Sequence, residues 1–154
     1  LFPDALLPVC TPELARAHGL GPETRSLAGV PLCHVAIETT DPGWIDLAGW
    51  CARFGVACPP LEEAPRVTHV AHGLHAARAG LGLVLGGAVE ALAALREGAL
   101  VAPFGPGRHV TTDYAYRLVW PRRRRLSPVQ RAFRDWLGAR AAAFRGEMAA
   151  VLGP

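Results

Sequence analysis

A chain of 154 residues and 16.3 kDa holds one domain of ordinary size or two small lobes. Apolar residues make up 51% and charged residues 19%, which excludes a disordered tail. The net charge of +3 depends on the run Arg122 to Arg125; without it 12 basic residues face 13 acidic ones, so the charge does not describe a nucleic-acid-coating protein.

Every basic residue is Arg and Ala occurs 27 times, a bias that suits GC-rich coding and says little about function. Cys10, Cys33, Cys51 and Cys58 lack CxxC spacing, so reduced structural thiols and a cytoplasmic setting are expected. The most apolar window, Ala79 to Leu95, is too short and too interrupted by Gly and Glu90 to cross a membrane. The first residues lack the charged-then-apolar pattern of a signal peptide.

In chain order, Ala5 to Cys10 predicts a strand, with Pro8 making it an edge strand or a bend. Thr11 is a good N-cap and Pro12 a good first residue for a helical turn through Ala17. Pro31 to Ile37 predicts a second strand, and Asp41-Pro42-Gly43 a turn or helix start. Trp44, Leu47, Ala48, Cys51 and Phe54 mark one face of a helix that stops at Gly55. Arg66 to Val70 is β-rich, His72 to Ala79 helical, Leu81 to Leu85 a buried strand, and Val89 to Leu95 a helix ending near Gly98. Leu100 to Phe104 predicts a further strand and Gly105 to Gly107 a turn. Alternation from Asp113 to Trp120 puts Tyr114, Tyr116, Leu118 and Trp120 on one strand face. Ser127 as cap and Pro128 as first residue open a long helix to about Leu152, with Val129, Phe133, Trp136, Leu137 and Phe144 in its apolar stripe. The alternation of strands and helices predicts an α/β protein with a largely parallel sheet.

Seven segments then fall in one order. They are Leu7-Pro-Val-Cys-Thr-Pro-Glu-Leu14, Ser26 to Leu32, Trp44 with Trp50, Ala76-Ala-Arg-Ala-Gly-Leu-Gly82, Leu95 to Phe104, Tyr116-Arg-Leu-Val119 and Val129 to Leu137. Together they resemble the effector-binding domain of LysR-type transcriptional regulators, most of all the branch with glycine-cleavage activators and β-lactamase regulators. The resemblance implies a periplasmic-binding-protein-like (type II) α/β fold with two subdomains and a small effector in the cleft between them. It implies that residues 11–112 form the complete second subdomain. Residues 1–10 and 113–154 would be the crossing strands and the C-terminal helix of an incomplete first subdomain. The family's winged helix-turn-helix and the first strands of that subdomain have no counterpart here. DNA contact is therefore expected only through a segment not present in this chain, and exposed apolar surface is expected beside the Ser127 helix. A homo-oligomer is a further family expectation.

Family effectors are small and polar, often carboxylates or amino acids. Such ligands favour helix N-termini, hydroxyls, and an Arg or His. Thr68 and His69 precede a helix and can offer side chains beside its free N–H groups, although a plain cap needs no more. Tyr116 sits on a crossing strand where its phenol could donate to an effector, the alternative being a core tyrosine. Thr39, Thr40 and Trp44 follow the second strand, at the strand end where α/β ligands bind. Thr11, closing the first strand, completes the candidate set.

No cofactor is expected. His69, His72 and His75 do not converge at their spacing, and no acidic or Cys cluster stands beside them to complete a metal site. The Arg122 to Arg125 run is expected to be a solvated turn. GxSxG, GxxxxGK, HExxH and a helix-opening GxGxxG are all missing, so an enzyme is not expected. The alternatives are a solute-binding protein or enzyme on the same two-lobed scaffold, or a fragment without function.

Overall fold

The apolar run near the N-terminus is buried on both sides. In β1 (Phe2–Val9), Ala5, Leu7 and Val9 enter one hydrophobic cluster, while Leu6 and the following Cys10 enter another. A strand covered on both faces has no polar side to show, which is why the run reads as continuously apolar. The protein is described by a computed structural model covering residues 1–41, 43–121, 123 and 125–153. Pro42 of the expected turn and Arg122 and Arg124 of the arginine run lie outside the described residues.

β1 is the middle strand of the order β4-β1-β5, where β4 is Val84–Gly87 and β5 is Val110–Tyr116. Both pairings are antiparallel, from Leu6↔Gly87 to Val9↔Val84 and from Phe2↔Tyr116 to Leu6↔Val110. β2 (His34–Val35) and β3 (Arg66–Val67) pair in parallel, and the parallel bridge Leu32↔Leu83 joins them to the β4 side. The expected largely parallel sheet is thus corrected: the long ladders are antiparallel, because β1 enters against the direction of its neighbours. Pro8 lies within a central strand, yet β5 stops pairing at Leu6, so its missing N–H removes no ladder bond there. The expected strand at Leu100 to Phe104 reduces to one bridge, Cys10↔Val101. β5 stops at Tyr116, leaving Leu118 and Trp120 outside it.

Local chemistry sets the helix ends. Thr11 Oγ1 accepts the Leu14 N–H at 3.2 Å and opens α1 (Pro12–Ala17). Asp46, rather than the Asp41 turn, opens α2 (Leu47–Phe54), its carboxylate accepting the Gly49 N–H at 2.8 Å. Gly55 at φ 66° ends α2 in the left-handed region that favours glycine. Trp44 therefore precedes the helix. Ala48 faces solvent, while Trp50 is fully buried and its indole N–H donates to the Arg108 carbonyl at 3.0 Å. α3 (Val70–Arg78) and α4 (Ala88–Arg96) cover the other sheet face. Gly73 lets α3 approach closely: a Cβ there would lie 2.8 Å from Val35 Cγ2 and 2.9 Å from Val84 Cγ1.

α5 (Pro128–Leu152) opens with a capping box in which Ser127 and Gln130 satisfy each other's backbone N–H groups. Its C-terminal half docks through Met148 and Phe144 on the α3–α4 side, with Arg96–Glu147 at 2.6 Å alongside. Its first half is bare. Val129, Phe133 and Trp136 are 77%, 53% and 57% exposed, and Val119 is 82% exposed. The apolar surface expected beside this helix is present. Among the described residues no helix is long and apolar enough to cross a membrane.

Candidate functional site

Strand direction decides which residues meet. β2, β3 and β4 run the same way, so the loop after β2, the β3–α3 junction and the β4–α4 junction all open at one end of the sheet. β1 runs the other way. Its beginning, near Asp4, lies at that end, and Thr11 lies at the opposite one. Thr11 is therefore not gathered with the other candidates, and its hydroxyl is already engaged as the α1 cap.

The shared end carries Thr39, Thr40 and Trp44 after β2, and Thr68 and His69 before α3. Thr39, Thr40, Thr68 and His69 are all exposed. Thr39 Oγ1 accepts the Asp41 N–H at 3.1 Å, and the Trp44 N–H donates to the Asp41 carbonyl at 3.1 Å. His69 is the N-cap residue of α3, but its side chain makes no bond to the first turn; Nδ1 lies 2.7 Å from the Thr68 carbonyl. The first turn of α4 is treated differently. Asp4 Oδ1 accepts its Val89 N–H at 3.3 Å, so a protein carboxylate already serves that helix start.

Sequence reading passed over the best-formed feature of this end. The Tyr114 hydroxyl donates to Asp41 Oδ2, and the Gly43 N–H donates to Asp41 Oδ1 at 2.8 Å. These donors, Tyr114 foremost, hold the Asp41 carboxyl below its ordinary range, while bonding to Asp41 pushes the Tyr114 phenol up. The Trp44 ring stands edge-on to Tyr114, 6.4 Å between centroids and 63° between planes. A β-bulge aims Tyr114: between the pairs Ala5↔Thr111 and Pro3↔Ala115, residues 112–114 stand against Asp4 alone. Thr112 Oγ1 donates within that irregularity to the Asp4 carbonyl at 3.2 Å. The available signal was an Asp just past the carboxyl end of a strand; its partner lies 73 residues away.

Tyr116, the favoured tyrosine, has other company. Its ring packs 5.3 Å from Phe2, which in turn lies 4.9 Å from Phe144. Burial pushes its phenol up first, and the negative charges of Asp4 and Glu90 add to it. It therefore sits beside the start of α4.

A groove of about 630 Å³ lies elsewhere: it flanks β2 and β3 beside α2 and is lined by His34, Asp46, Cys58, Glu62 and Arg66 among others. It does not open at the carboxyl ends of the strands. His69 and His72 lie 5.3 Å apart by ring centroid, and among the described residues no three His, Cys, Asp or Glu side chains converge on a metal position.

The family model described as the LysR substrate binding domain matches residues 1–142. No match was found among curated proteins. Similar solved structures include the effector domain of the transcriptional regulator AmpR of Pseudomonas aeruginosa, 27% identical at a TM-score of 0.65, covering 96% of this chain and 67% of that one. The regulatory domain of AphB in Vibrio vulnificus is 17% identical at 0.56, covering 90% of this chain and 66% of that one. The regulatory domain of a HypT mutant from Salmonella typhimurium is 20% identical at 0.54, covering 92% of this chain and 66% of that one. The last two speak for the fold alone. The chain spans 66% to 67% of the length of these neighbours. The α/β fold is the periplasmic-binding-protein-like type II fold, and the neighbours are domains of transcriptional regulators, not enzymes.

Proposed function

Because the chain belongs to the LysR substrate-binding domain family, a family of ligand-sensing regulatory domains, we propose that it senses a small polar effector, an amino acid or another carboxylate, at the carboxyl ends of β2 and β3. The observation that carries this reading is the α3 start. It lies at the carboxyl end of β3, with exposed Thr68 and His69 beside it and no side-chain bond from its cap residue, whereas Asp4 already serves the start of α4. Thr39, Thr40 and Trp44 border the same end. Tyr116 approaches from the crossing strand, and Thr11 contributes only as a cap.

Residues 11–112 act as the effector-binding subdomain, and residues 1–10 and 113–154 belong to a first subdomain through β1, β5 and α5. An effector with higher affinity for the closed cleft shifts the relative pose of the two subdomains. That pose is coupled, in a cytoplasmic homo-oligomer, to DNA held by a helix-turn-helix outside this chain. A solute-binding protein or an enzyme on the same scaffold is not favoured, since the neighbours are regulator domains.

Thermal-shift titration with L-amino acids and small carboxylates tests the reading. A ligand at 100 times its Kd stabilises by about 2.7 kcal/mol. Thr68→Ala is expected to remove most of that gain and Thr11→Ala none of it. Equal gains in wild type and Thr68→Ala contradict the assignment.

A further inference from the structure

We propose that Asp41, Trp44 and Tyr114 form an ammonium subsite, so that the effector is a zwitterionic amino compound and not a plain carboxylate. The inference rests on the preceding reading that a ligand binds at this end of the sheet.

Asp41 is an exposed carboxylate whose two oxygens are both oriented, one by the Tyr114 hydroxyl and one by the Gly43 N–H. Both donors are neutral, and among the described residues no Arg or His forms an ion pair with it. The charge is fixed in place and not cancelled. Each oxygen keeps acceptor capacity for a further donor.

The walls beside it suit a cation. Trp44 and Tyr114 meet as an edge-on aromatic corner, 6.4 Å between centroids, and Tyr114 is 43% exposed. Aromatic faces attract an ammonium group and a carboxylate adds direct pairing; an anion placed there would be repelled by Asp41. Trp44 keeps its backbone N–H on the Asp41 carbonyl, which holds ring and carboxylate in one unit. The bulge at residues 112–114 brings Tyr114 of the crossing strand to the loop after β2.

The opposite charge has a place at the same end of the sheet. Asp4 occupies the start of α4, which closes that helix to a ligand carboxylate, whereas His69, the cap residue of α3, makes no side-chain bond to its first turn. One end of the sheet thus presents a positive helix start and a negative carboxylate. A molecule bearing both charges uses both; a plain carboxylate uses one.

The test uses matched pairs differing only in NH3⁺ against OH: L-alanine with L-lactate, and L-phenylalanine with L-phenyllactate. Their Kd values are measured by calorimetry on the chain and its variants. The amino acid of a pair is expected to bind about tenfold tighter or better, a difference set by one ion pair and one cation–π contact. Asp41→Asn should erase the preference, weakening the amino acid about tenfold while the hydroxy acid stays within about twofold. Tyr114→Phe keeps the ring and removes the donor to Asp41, so it should narrow the preference without erasing it. Thr68→Ala should weaken both members of a pair. Equal affinities within each pair, or a preference that survives Asp41→Asn, overturn the ammonium subsite; dependence of both ligands on Thr68 would still uphold the cleft reading. Failure of all four compounds to bind overturns both.

Discussion

Asp41 and Tyr114 fix each other's protonation. The folded contact favours the Asp41 anion, so its contribution is present above the ordinary value of 3.8 and is lost as pH falls through the lower folded pKa. The same contact favours protonated Tyr114: that contribution is present below 10.0 and is lost as pH rises through the higher folded value. Tyr114→Phe removes the largest cause, and an NMR titration should find the Asp41 pKa higher in the variant than in wild type. An unchanged value would mean that the hydroxyl does not hold the carboxylate in solution. The thiols shift through burial instead. Burial pushes Cys10 up to about 11 and Cys51 up to about 12, so neither should react with a thiol reagent at pH 8 until denaturant is added. Rapid native-state labelling of Cys51 would contradict this burial. At this scale the sequence revealed what is local. Thr11 and Ser127 were readable as caps because their partners lie three residues away. Asp41 was readable only as part of a turn or helix start, because its defining partner comes from β5.

Helix stops and caps were also legible, since Gly55 and Ser127 act within one turn of themselves. Strand direction was not. A strand buried on both faces has the same apolar signature whichever way it runs, so β1 gave no sign of its antiparallel pairing. The α2 stripe was rotated for a related reason: starting it at Trp44 put Ala48 inside, whereas the Asp46 cap starts it later and puts Trp50 inside. The tight seat of α3 gives a prediction. Gly73→Ala pushes a methyl toward the methyl groups of Val35 and Val84, at 2.8 and 2.9 Å, and should cost about 1–3 kcal/mol, read as a lower Tm. A Tm equal to wild type would show that α3 shifts freely, and the geometry of the Thr68–His69 junction would not be rigid.

The whole molecule has a densely packed side and a bare one. Two hydrophobic clusters enclose the sheet, whereas Val119, Val129, Phe133 and Trp136 stand in solvent along the start of α5. Such a patch should bind an apolar fluorescent dye. Phe133→Glu should reduce that fluorescence while moving stability by less than about 0.5 kcal/mol, as expected for an exposed position. A large loss of stability would place Phe133 in a core. The family was legible from seven motifs in a fixed order, because each is a short local pattern. The candidate ligand end was only half legible, because residues 39–41, 43–44 and 68–69 share one end of the sheet through strand order, and Tyr114 reaches Asp41 through a bulge. The most direct test of the central claim is an amide NMR titration of the chain with L-alanine or L-phenylalanine. The account predicts shifts at Thr39, Thr40, Asp41, Gly43 and Trp44, at Thr68 to Ala71 and at Tyr114; shifts confined to the groove around His34, Cys58 and Arg66 would contradict it.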